Sequence, residues 1–119
     1  MKIEIKGMSE LQKVFKNIPT KGENAAHKEL KEIVLDLQGN SQELAPVDLG
    51  DLRGSAFSEV TKLDGTVGFT EPYALRQHEG VGFRHPKGGQ AKFLETPYKA
   101  NASKYANSLM AAIKKAVGD

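Results

Sequence analysis

The chain has no cysteine. That excludes a disulfide framework and any site built on thiolate ligands. No apolar run approaches the roughly 20 residues that span a bilayer, so no membrane-crossing helix and no membrane partner are expected. The first residues, MKIEIKG, lack the apolar centre of a secretory signal, and synthesis in a cytoplasm is the expectation. A strong charge of either sign is also missing. The formal net charge is +2, which permits an acidic partner or nucleic acid but does not demand one. What charge there is lies unevenly: residues 1–60 hold 8 basic and 10 acidic side chains, and residues 61–119 hold 9 and 5. Between Glu79 and Glu95 there is no acid at all.

At 119 residues the expectation is a single domain spanning 1–119. A chain of this size buries about two thirds of its unfolded surface, enough for a core without covalent staples. Hydrophobic content of 39% and charged content of 27% are those of ordinary globular protein, so a folded chain is expected and not wholesale disorder.

Lys2–Lys6 alternates charge with Ile3 and Ile5, the period of a half-buried strand. Ser9 and Gln12 form a capping box for a short helix with Leu11, Val14, Phe15 and Ile18 on one face, stopped by Pro19. A long helix starts near Gly22 or Glu23. Its stripe is Ala26, Leu30, Ile33, Val34, Leu37 and Leu44, and it ends before Pro46 with a bend expected at Gly39. Ala45–Ser55 (APVDLGDLRGS) is a compact corner, with Asp48 capping a helical turn around Asp51–Arg53. Ser55–Leu63 and Thr66–Thr70 read as a hairpin joined by a type I′ turn at Asp64-Gly65, with Val67 and Phe69 inward. The first of these strands alternates imperfectly, so either a bulge shifts it or both faces are partly covered. Pro72 ends the ladder. Tyr73–Glu79 makes a turn or two of helix with Tyr73, Ala74 and Gln77 on one face. Phe93 and Leu94 return to the core. A last helix starts with Thr96 as N-cap and Pro97 at its first position. The class is α+β: a small antiparallel sheet of three to four strands on a long helix and a C-terminal helix, with a long Gly-rich loop.

The loop stands out. Gly80–Gln90 carries four of the 12 glycines and the cations Arg84 and Lys87, with Lys92 just beyond it. Connections of this length are usually functional or disordered. A phosphate cradle does not fit, because His85 occupies the third glycine of G-x-G-x-x-G and no G-K-[ST] follows. His78-Glu79 resembles the start of a zinc-protease motif, yet Gly82 stands where the second histidine is needed. His27, His78 and His85 read as ordinary histidines, and Asp48 and Asp51 as turn caps. Ser55 lies outside a nucleophile elbow. No catalytic, cofactor or metal residue is therefore assigned. Charge with Phe83 allows a small basic nucleic-acid-binding module using the Gly80–Lys92 loop. The commoner use is contact with a protein, another copy included. The contact candidates are Val81, Phe83, Arg84, His85, Lys87 and Lys92.

The order Ala45-Pro46-Val47-Asp48, Gly50, Leu52-Arg53, Ser55, then Pro72-Tyr73-Ala74, Glu79-Gly80, Phe93-Leu94 and Pro97 resembles one family. These are the small tail-component proteins of bacteriophages with long non-contractile tails, variously called tail-completion, head–tail joining or minor capsid proteins. Leu49 replaces the family's threonine, Glu79 and Gly80 are adjacent where many members insert a residue, and Tyr98 replaces alanine. The resemblance covers Ala45 to the C-terminus. It implies a structural virion protein of the neck, a ring (commonly six-fold, hence hexameric) in the connector between head and tail. Its implied partners are the phage head-completion protein and the tail terminator or tail-tube protein, with passing contact to DNA in the channel. No catalysis and no cofactor are implied.

Overall fold

In the computed structural model, residues 1–5, 18–47, 51–61, 64–85 and 87–118 are described. The longest helix, α1 (Thr20–Leu44), is the element on which the others pack. Its 25 residues span about 37 Å at ~1.5 Å per residue. Ala26, Leu30, Ile33, Val34 and Leu37 are buried along it, as their 3.6-residue spacing requires. The helix starts two residues earlier than expected and runs through Gly39 without a break. Solvent surrounds Gly39, so neither packing nor a competing side chain acts to bend it there. Helix α1 stops at Leu44, with Pro46 two residues on.

A single helical turn, α2 (Asp51–Gly54), follows and buries Leu52. Strands β2 (Ala56–Thr61) and β3 (Asp64–Phe69) pair antiparallel as a hairpin, and β1 (Lys2–Ile5) lies antiparallel along the other side of β3. The β2–β3 register is regular from Ala56↔Phe69 to Thr61↔Asp64, without a bulge. The expected Asp64-Gly65 turn is therefore corrected: both residues belong to β3, Asp64 pairs with Thr61, and the chain has already reversed before Asp64. A turn at Asp64-Gly65 would have set Phe57 opposite Pro72, which has no N–H to donate. In the observed register Phe57 faces Gly68, and its ring fills the space where a Cβ would lie, 2.7 Å away. Val67 and Phe69 are buried, as expected; Ala56 and Val60 pack at the margin of the same core.

Helices α3 (Ala74–Glu79) and α4 (Glu95–Val117) complete the described fold. Tyr105, Leu109 and Ile113 are the buried face of α4, which packs along α1. The architecture is α+β, an antiparallel sheet against one side of α1 with the C-terminal helix along another. The helix expected after Ser9, with Leu11, Val14 and Phe15, and the cap at Asp48 fall outside the described residues, as does Gly50.

Candidate functional site

The segment from α3 to the start of α4 is built around one buried histidine. His78 is 5% exposed and sits one turn after buried Ala74, so the inward face of α3 is Ala74 and His78, not the expected Tyr73, Ala74 and Gln77. Its Nε2 accepts the backbone N–H of Glu95 at 3.2 Å, the first residue of α4. A nitrogen that accepts carries no proton, so the proton of the neutral ring is on Nδ1 and is donated to Glu79 Oε1 at 3.2 Å. The ring edge also meets Phe93 (centroids 5.1 Å apart), and Phe93 in turn meets Phe69 at 4.9 Å, both edge to face. The start of α4 is thus corrected. The helix begins at Glu95, and Thr96 is no N-cap; a histidine from another helix takes the first orphan N–H, and the Lys92 carbonyl takes that of Thr96 at 2.9 Å. Pro97 lies within that first turn, where a missing N–H costs nothing.

Lys92 closes the neck of the loop. Its N–H donates to the His78 carbonyl at 2.7 Å, and its ammonium contacts the Glu79 carboxylate directly, with Glu95 at 3.8 Å. The hydrogen bond from Lys92, followed by that from His78, holds the Glu79 carboxyl below its ordinary value. The same bond holds the Lys92 ammonium above its own. Lys92 has φ 55°, a left-handed conformation that costs a lysine on the order of 1 kcal/mol and that these contacts hold in place.

Above this clasp the loop divides in two. In the first half, Val81 N–H bonds to the Glu79 carbonyl at 2.9 Å and Phe83 N–H to the Gly80 carbonyl at 3.0 Å. The Phe83 ring lies where a Gly80 side chain would be, and the Arg76 guanidinium stands 5.7 Å from the ring centre. Even so, Phe83 is 42% exposed, Val81 76% and neighbouring Leu75 58%. Arg84 and Lys87 are exposed and His85 is half-buried.

The second half does not project as an arm. Val47 N–H bonds to the Gly88 carbonyl at 3.3 Å and Gln90 N–H to the Leu44 carbonyl at 2.8 Å, seating the loop on the corner after α1. Gly89, at φ +94°, passes so close that a Cβ would lie 2.6 Å from the Ala45 carbonyl oxygen. Arg53 completes the corner: its Nε donates to the Ala45 carbonyl and its Nη2 to that of Glu43, both at 2.9 Å. Gln42 returns a bond to the Arg53 carbonyl at 3.0 Å. Ser55 joins the corner to the strand end, donating to the Leu52 carbonyl at 2.8 Å and accepting the Glu71 N–H at 3.3 Å.

Residues singled out in the sequence therefore gather along one seam. Pro46, Leu52 and Arg53 form its corner; Glu79, Gly80, Phe93, Leu94 and Pro97 form its clasp. Half-buried Tyr73 packs against the core just ahead of α3. Lys92, grouped with the loop contacts from sequence, turns inward to Glu79. His27 lies on α1, away from the seam, and no group of three or more His, Asp or Glu is placed to hold a metal among the described residues. Sequence reasoning missed His78 as the cap of α4. The available signal was its four-residue spacing from Ala74. No protein-family model, curated protein or solved structure matches this chain.

Proposed function

We propose that the chain is a structural virion protein of the neck of a long-tailed, non-contractile bacteriophage. In this reading it joins the head-completion or connector ring to the tail tube by forming an oligomeric ring, without catalysis. The observation that carries the proposal is the ordered set of motifs from Ala45 to Pro97, together with their convergence on one seam. Residues far apart in the chain, Leu44 and Gln90 among them, complete each other's hydrogen bonds there: Arg53 and the loop cap the end of α1, and His78 caps α4. Motifs spaced along a chain that build one scaffold support a shared fold better than any of them does alone.

The scaffold presents Leu75, Val81 and Phe83 outward, with Arg76 and Arg84 beside them. Three large apolar side chains exposed within nine residues of chain are a feature of protein contacts, and a closed ring needs a contact face on each subunit. The test is assembly. Mixed with a head-completion protein and a tail-tube protein encoded beside its own gene, the chain is expected to co-elute with one of them and to form rings in negative-stain images. Failure to bind any such protein, combined with tight and salt-sensitive binding to duplex DNA, would reject the neck in favour of a nucleic-acid module.

A further inference from the structure

The apolar face on α3 and the loop needs an occupant, and the same chain carries a surface of matching character. On α1, Glu29, Glu32, Asp36 and Glu43 follow at spacings of three, four and seven, which puts them on one side of the helix. Leu35 lies at the edge of this ridge, 63% exposed on the side of α1 away from its buried stripe. Lys28 and Lys31 flank its N-terminal half, and Lys104 of α4 lines the groove between the helices beside it. Its C-terminal half, from Glu32 onward, is acidic around an exposed leucine. The α3–loop face is the converse, Leu75, Val81 and Phe83 beside Arg76 and Arg84, with Glu79 turned away to Lys92. Leu35 and the loop face belong to different surfaces of one molecule: α3 buries Ala74 and His78 in the core, whereas Leu35 points away from that core.

We infer that the occupant is a second copy of this chain, joined head to tail: the Leu75–Val81–Phe83 face of one subunit seats on the Leu35 ridge of the next, with Arg76 and Arg84 against Glu32 and Asp36. Such a contact is heterologous. Each subunit uses one face to give and another to receive, so the assembly propagates and closes as a ring if the rotation allows. Opposite charges set the register and disfavour pairing of like faces. This names the surfaces behind the ring of the proposed function and rests on that reading for the identity of the neighbour.

The absence of native cysteine makes the test clean. One full-length chain carries Lys31→Cys, beside the ridge; a second, with a different tag, carries Gly82→Cys, beside the loop face. A short bis-maleimide is applied to the equimolar mixture. This is done with the concentrated chain alone and again in the presence of the neck proteins. The expected result is a mixed adduct about fivefold above random pairing, lost when Leu35→Asp is added to the first chain or Arg84→Glu to the second. Lys114→Cys on exposed α4 serves as the control partner and gives random pairing. Random pairing in both settings overturns the contact, as does an excess of like-with-like adducts or an excess that survives both substitutions. Rings formed with neck proteins but without the mixed adduct would leave the neck reading standing and remove this interface. A strong mixed adduct from a chain that ignores neck proteins would do the reverse.

Discussion

At the scale of single residues, the site depends on polar atoms with one available partner each. His78 is the clearest. Truncation to alanine strands the Glu95 N–H at the start of α4 and opens a void beside Phe93. The expected cost is about 1–3 kcal/mol, read from urea unfolding. Glu79 gives a pH prediction. Its folded-state carboxyl is held below the ordinary 4.5 by the hydrogen bond from Lys92, then by that from His78. A depressed carboxyl contributes stability that is fully present above 4.5 and is lost as pH falls through the lower folded value. Glu79→Gln should therefore be less stable than the parent at pH 7 and should lose less on acidification; parallel pH profiles for the two proteins would remove Glu79 from this role. Glu79-Gly80 was legible as a motif, but its purpose was not. The partner, Lys92, is thirteen residues away and is set by a backbone angle that no local pattern announces.

Secondary-structure elements divide into those that periodicity decides and those that neighbours decide. The long helix, the return strand and the last helix follow from spacing, because a buried face recurs with the period of the backbone. The hairpin turn does not. Asp-Gly is a strong local signal, but Phe57 over Gly68 and the barrier at Pro72 outweigh it and place the reversal before Asp64. The expected bend at Gly39 fails for the opposite reason: α1 is anchored along its buried stripe on both sides, and one exposed glycine has no force acting on it. Gly39→Ala adds a methyl group to open space in a helical backbone. It should stabilise the protein by about 0.5–1 kcal/mol, visible as a raised urea midpoint with unchanged slope. Arg53→Ala removes two hydrogen bonds from the end of α1, and a loss on the order of 1–2 kcal/mol is expected. Arg53→Lys should recover only part of it, because an ammonium cannot reproduce the two-pronged geometry of guanidinium.

For the whole molecule, the loop is both structure and surface. Its lower half is hydrogen-bonded to the corner and its tip is exposed. Replacing Gly82–Arg84 alone by a short Gly-Ser turn should leave the urea midpoint nearly unchanged and abolish subunit contact. Removing Val81–Gln90 should also cost about 1–3 kcal/mol, because two backbone bonds to Leu44 and Val47 go with it. Equal midpoints for the two deletions would mean that the seating on the corner contributes nothing. The α1–α4 packing carries a second pH marker. Tyr105 is buried and donates to Asp36 at 2.6 Å; burial first, then Asp36, pushes its hydroxyl well above the ordinary 10.0. A raised value means that the stability it contributes is intact below pH 10.0 and is lost as pH rises above it. Tyr105→Phe should flatten that alkaline loss in a thermal melt series.

The sequence by itself determined the class of fold, the buried stripe of α1, the inward Val67 and Phe69, and the location of the unusual segment. Each of these depends on the order of residue types within a few turns of backbone. Tertiary structure alone decided which carbonyl Arg53 would cap, that His78 would start α4, and where the hairpin would reverse. It also decided that half of the glycine loop would lie on the corner. Those outcomes depend on which groups meet after the chain has closed, and a buried polar group binds whatever partner the packing brings within reach.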